Sequence, residues 1–109
     1  MGAFSVVTAP EETCPHCGSR IRRGVQFKYG ALWANRYAVG DPVEWGVGDA
    51  GEPARLVQVM GDPEPCPVCG DEPEWVYDIV VRDGVIVSVE RGTSDPYVGS
   101  DDYVVVLEQ

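Results

Sequence analysis

From Val25 to Tyr29 apolar and polar side chains take turns: Val25, Phe27 and Tyr29 against Gln26 and Lys28. That period of two is what a half-buried strand requires. Leu32 to Val39 repeats the pattern less regularly and predicts a second strand, with Trp33, Tyr37 and Val39 on one face. Gly40-Asp41-Pro42 is a turn signal, Val43 to Trp45 a short strand, and the glycine-rich acidic stretch from Gly46 to Pro53 a loop. Leu56 to Met60 reads as a strand ending in a turn over Gly61-Asp62-Pro63.

The clearest element follows. Trp75–Val81 and Val85–Glu90 are β-branched runs joined by Asp83-Gly84, a preferred type I′ hairpin turn. Continuous pairing would set Val81 across from Ile86, Val80 across from Val87 and Asp78 across from Val89. Thr93 to Ser100 is turn-like, and Tyr103 to Leu107 makes a last strand. No segment carries a helical period with caps. The expected fold is mostly β, an antiparallel sheet with hairpins, in one domain spanning residues 1–109.

A repeat interrupts this alternation twice. Cys14-Pro15-His16-Cys17-Gly18 and Cys66-Pro67-Val68-Cys69-Gly70 share one C-P-x-C-G phrase and hold all four cysteines. Two residues between cysteines let both sulfurs of a tight turn face one ion. Proline presets φ for the turn, and glycine permits the positive φ that lets the chain curl its N–H groups toward the thiolates. Two such knuckles supply the four ligands of a tetrahedral ion, so Cys14, Cys17, Cys66 and Cys69 are the candidate metal ligands.

Composition changes the picture in two respects. Apolar residues make up 44% of the 109, enough for a packed core. No run reaches the roughly 18 apolar residues of a membrane span, and Met1 to Pro10 lacks a basic-then-apolar leader, so a cytoplasmic location is expected, where thiols stay reduced and hold metals. The formal charge of −10 is uneven: residues 1–40 carry +3 and residues 41–109 carry −13. Such an acidic surface repels nucleic acid and anionic lipid. Arg20, Arg22 and Arg23 form a local basic cluster, read as offsetting the charged sulfurs. With Lys28 it is also the one place where nucleic acid could bind.

Paired C-P-x-C-G knuckles with hairpins between and after them resemble the zinc-ribbon superfamily. The match covers the knuckles and their neighbours, about a quarter of the chain. It implies zinc on Cys14, Cys17, Cys66 and Cys69 and carries over no other residue, and because zinc ribbons serve many roles it selects none of them. Ribbon knuckles are commonly separated by about 15–20 residues. Here 48 residues lie between Cys17 and Cys66, so the ribbon is split and the intervening strands form the body of the domain. The region around Phe27-Lys28-Tyr29-Gly30 is faintly similar to small bacterial proteins, which implies no activity.

Other chemistries fit less of the chain. Rubredoxin also holds its metal, iron, between two C-x-x-C-G knuckles among aromatic side chains, but its inter-knuckle segment is shorter. Cys14-Pro15-His16-Cys17 matches the active-site tetrapeptide of oxidising thioredoxin-like proteins, yet the glycine and strand that follow deny it the helix N-terminus this chemistry needs. Pro65-Cys66-Pro67-Val68-Cys69 matches half of a zinc-deaminase signature without the H-x-E half. Four thiolates leave a catalytic zinc no open position, and with His16 as the one histidine, a Ser–His–Asp triad would have to be built inside a knuckle. The expectation is a zinc-binding, non-catalytic accessory module with a protein partner. An iron electron carrier is the alternative, and a nucleic-acid-binding ribbon the weaker one.

Overall fold

In a computed structural model, residues 4–31, 36–45, 53–93, 95–99 and 103–109 are described. They form strands β1 (Ser5–Thr8), β2 (Glu12–Thr13), β3 (Arg20–Ile21), β4 (Gly24–Phe27), β5 (Arg36–Ala38), β6 (Leu56–Pro63), β7 (Val76–Arg82), β8 (Val85–Gly92) and β9 (Val104–Glu108), with one 3-10 turn at Asp95–Tyr97. The mostly β expectation holds. Seven strands make one sheet in the order β5-β1-β4-β6-β7-β8, with β9 alongside β6, and β2–β3 is a separate small hairpin. Every pair is antiparallel except β1–β5. No helix among the described residues is long and apolar enough to cross a membrane.

The sheet curls until its ends meet. Past β5, Gly40 N–H donates to Ile86 O at 2.7 Å, Ile86 N–H to Asp41 O at 3.0 Å and Val43 N–H to Gly84 O at 2.7 Å. This seam ties the chain after β5 to the start of β8, which satisfies edge groups that would otherwise be open to pairing. Inside lie Val7, Val25, Phe27, Tyr29, Tyr37, Val57, Val59, Tyr77, Ile79, Val81, Ile86 and Val89. The alternation read at Val25–Tyr29 is present, with Val25, Phe27 and Tyr29 buried and Lys28 exposed.

Several expectations are corrected. Gly61-Asp62-Pro63 is no turn: β6 runs straight through it, because its far end leaves β9 and pairs with β4 (Gln26↔Asp62, Val25↔Pro63). Gly61 is needed for close approach, since a Cβ there would overlap the Val25 side chain and reach Ile79 Cδ1 at 3.0 Å. Gly61→Ala is expected to cost about 1–3 kcal/mol by overpacking, measured as a lower urea midpoint at unchanged slope. The seam segment Val43–Trp45 is no ladder strand, its neighbour Pro42 forming only an isolated bridge to Val85. Of the strand expected at Leu32–Val39, β5 at Arg36–Ala38 is present with Tyr37 buried, whereas Val39 lies exposed in a turn. Trp33 and most of the Gly46–Pro53 loop fall outside the described residues.

The hairpin keeps its type I′ character, with φ of 49° at Asp83 and 79° at Gly84, and Val81 faces Ile86 as expected. Beyond that point the register differs. Val80 lies across from Ser88 and Asp78 across from Glu90, because Val87 is an extra, bulged residue. Ile86 and Val89 are both buried although three positions apart, and only a bulge lets them share one face. On the outer face Tyr97 O–H donates to Asp78 Oδ1 at 2.7 Å and accepts from Gln58 Nε2 at 3.1 Å, pinning the 3-10 turn to the sheet. Burial, reinforced by the Asp78 carboxylate, pushes the Tyr97 phenol well above its usual range.

Candidate metal centre

The β4–β6 pairing puts the two knuckles side by side. The chain leaving the first knuckle enters β4 at Gly24, and the chain leaving β6 at Pro63 reaches Cys66 three residues later. The ladder continues one step past the strands, with Glu64 N–H on Gly24 O at 2.8 Å. Two knuckles with 48 residues between them in sequence thus become neighbours at one end of the curled sheet. The first knuckle forms the tip of the β2–β3 hairpin, whose register is Glu12↔Ile21 and Thr13↔Arg20.

The two knuckles have the same local bonding. Gly18 N–H donates to Cys14 O at 2.8 Å and Gly70 N–H to Cys66 O at 2.9 Å. Cys14 N–H reaches Ser19 O and Cys66 N–H reaches Asp71 O, both at 2.9 Å. Gly18 and Gly70 sit at φ of 74° and 77°, the left-handed conformation for which glycine was read. Burial is matched too: the first cysteine of each knuckle is buried and the second exposed. Cys14 and Cys66 pack with Ile21 in a small core of their own.

All four sulfurs lie within 4.8 Å of one another. The Cys14–Cys69 and Cys17–Cys66 distances, both between knuckles, are 3.9 Å. A tetrahedron with Zn–S bonds of about 2.3 Å has edges of about 3.8 Å, whereas a disulfide would need about 2.05 Å. The donor set fits a single ion.

Backbone dipoles prepare the thiolates. The N–H groups of Cys69 and then Val68 point at Cys66 Sγ and, against the opposing effect of burial, draw its thiol down to about 6; the Val68 N–H lies 3.4 Å from the sulfur. Cys14 is lowered in the same way by the N–H groups of Cys17 and His16, again against burial. Cys69 accepts the Asp71 N–H, which pulls it down, but burial and the sulfurs of Cys66, Cys17 and Cys14 together carry it up to about 12. His16 is exposed on the knuckle surface.

Two of the three clustered arginines bind carboxylates rather than sulfurs, contrary to expectation. Arg20 binds Glu11 (Nη2–Oε1 2.9 Å) and Thr13 Oγ1 (3.0 Å) in the open. Arg23 is 1% exposed; its Nε donates to Glu12 Oε1 at 3.3 Å and its Nη1 to the Glu64 carbonyl at 2.9 Å. Tyr77 O–H donates to the same Glu12 oxygen at 2.6 Å, and Arg91, stacked 4.0 Å from the Trp75 ring centroid, approaches Glu12 Oε2 at 3.5 Å. Burial raises the Tyr77 phenol, and Glu12 raises it further. Sequence reasoning missed Glu12 and the interior role of Arg23. The signal was present: alternation begins at Ile21, and Arg23 occupies the inward phase with Val25 and Phe27.

Comparison with family models, curated proteins and solved structures finds no match to this chain.

Proposed function

We propose that this chain is a zinc-binding, non-catalytic accessory module, in which Cys14, Cys17, Cys66 and Cys69 hold a structural ion and the β-rich body offers a surface to a protein partner in the cytoplasm. The observation that carries the reading is the sulfur quartet, all within 4.8 Å, with two edges of 3.9 Å close to those of a zinc–thiolate tetrahedron. A shell of four thiolates is full, which suits a structural role and leaves no position for a hydrolytic water. Because Cys69 holds its proton up to about 12, ion uptake at neutral pH expels protons, and binding tightens as pH rises.

Protein purified without added metal is expected to contain one zinc per chain by elemental analysis and to be colourless. After exchange into Co2+ it should show the visible absorption of a tetrahedral four-thiolate site. A red product containing iron would instead establish the electron-carrier alternative, since a four-sulfur tetrahedron accepts either metal. Protein with neither metal and no Co2+ spectrum would end the metal reading.

A further inference from the structure

Each knuckle has one arm of chain entering and one leaving, and all four arms converge on a single side chain. Glu12 and Glu64 lie two residues ahead of Cys14 and Cys66, the first cysteines of the two knuckles. Arg23 itself lies on the arm leaving the first knuckle, and Trp75 on the arm leaving the second. The Arg23 guanidinium donates to the Glu12 carboxylate and the Glu64 carbonyl, and its carbon stands 5.9 Å from the Trp75 ring centroid. Arginine suits this junction because its planar fork serves two acceptors at once while lying against an aromatic ring; a lysine ammonium is a compact point charge without the fork.

We propose that Arg23 is the positioning residue of the metal centre: it touches no sulfur, yet by fixing the four arms it sets the spacing of the quartet before the ion arrives. The inference rests on the metal reading above. Without the guanidinium the β4–β6 ladder still brings the knuckles together, but the ion must fix their final spacing, and that ordering is subtracted from its affinity. Loss of an outer partner of a metal site typically weakens binding by about 10–100-fold.

The test uses the full chain, stripped of metal and titrated with Co2+ against a competing chromophoric chelator. R23M is expected to bind Co2+ about 10–100-fold more weakly than wild type with an unchanged four-thiolate spectrum, since the ligands themselves are intact. R23K keeps a cation beside Glu12 and serves if R23M does not fold; lacking the fork, it is expected to weaken binding by about 10-fold. V81A, altered at the hairpin end of β7, removes stability far from the knuckles and should change Co2+ affinity by no more than about 2-fold.

Wild-type affinity in R23M or R23K overturns the proposal. So does an equal loss in V81A, which would mean that Arg23 acts only through general stability. A wild-type chain that takes up no Co2+ overturns the metal reading and this inference with it, a result distinct from a variant that binds as well as wild type.

Discussion

Cys66→Ser is expected to abolish tight metal binding and to lower the melting temperature of the protein to that of the chelator-treated wild type. Cys66 is buried at the base of the second knuckle, 3.9 Å from Cys17 across the quartet, and backbone N–H groups draw its thiol down to about 6. Serine keeps the shape but offers zinc a hydroxyl that stays protonated. Affinity should fall by more than about 100-fold, beyond what removing an outer partner does. The effect on folding is large because structural zinc contributes ~10–16 kcal/mol in finger peptides, comparable to the ~5–15 kcal/mol total of an ordinary domain. Here the separate core of the curled sheet is expected to hold part of the structure without it, leaving the variant partly folded. His16→Ala, on the exposed surface of the first knuckle, should leave both metal content and melting unchanged. A Cys66→Ser protein that retains its ion and its melting temperature would show that the ligand assignment is wrong.

Glu12→Ala is the second large effect. Glu12 is the carboxylate on which Arg23, Tyr77 and Arg91 converge, and the Arg23–Glu12 pair is buried, with side chains 1% and 18% exposed. Removing one partner strands a guanidinium in the interior with only the Glu64 carbonyl and leaves the Tyr77 hydroxyl without its 2.6 Å acceptor. Breaking a buried pair costs about 3–5 kcal/mol, and the residual exposure of Glu12 places this case near the lower end. Urea unfolding of metal-loaded protein measures it. Glu11→Ala is the matched control, because it removes only the exposed pair with Arg20, worth under about 1 kcal/mol. Equal losses in the two variants would mean that the interior network contributes no more than a surface ion pair.

These outcomes turn on features that the sequence displays unevenly. The knuckles are legible because proline and glycine mark them and nothing else in the chain repeats. The β7–β8 hairpin is legible because Asp83-Gly84 admits both positive φ values between β-branched runs. β1 was missed because Ser5, Val6 and Val7 are all buried between β4 and β5, which erases the alternation that reveals a strand. The far end of β6 was missed because Gly61-Asp62-Pro63 has the letters of a turn. The glycine there answers a crowded neighbour, and Pro63 lies at the strand end, where a missing N–H costs little. The Val87 bulge was hidden because a hairpin turn fixes register only as far as the first irregularity. Arg23 was read as offsetting the sulfurs because three arginines in four residues beside a knuckle look like one basic cluster; the period of two from Ile21 onward outweighs that composition.

The register Val25↔Pro63 has a consequence for when the four sulfurs can meet. As a ribosome extends the chain from its amino end, the first pair of thiols is made well before the second, and during translation of the 48 residues between Cys17 and Cys66 it stands as a bare dithiol. β6 ends three residues short of Cys66, so the zipping of β6 onto β4 that completes the middle of the sheet is the same event that delivers the second pair. Nascent protein thus has no complete sulfur quartet until β6 has docked on β4, and an ion that needs all four thiolates would be bound only after that step.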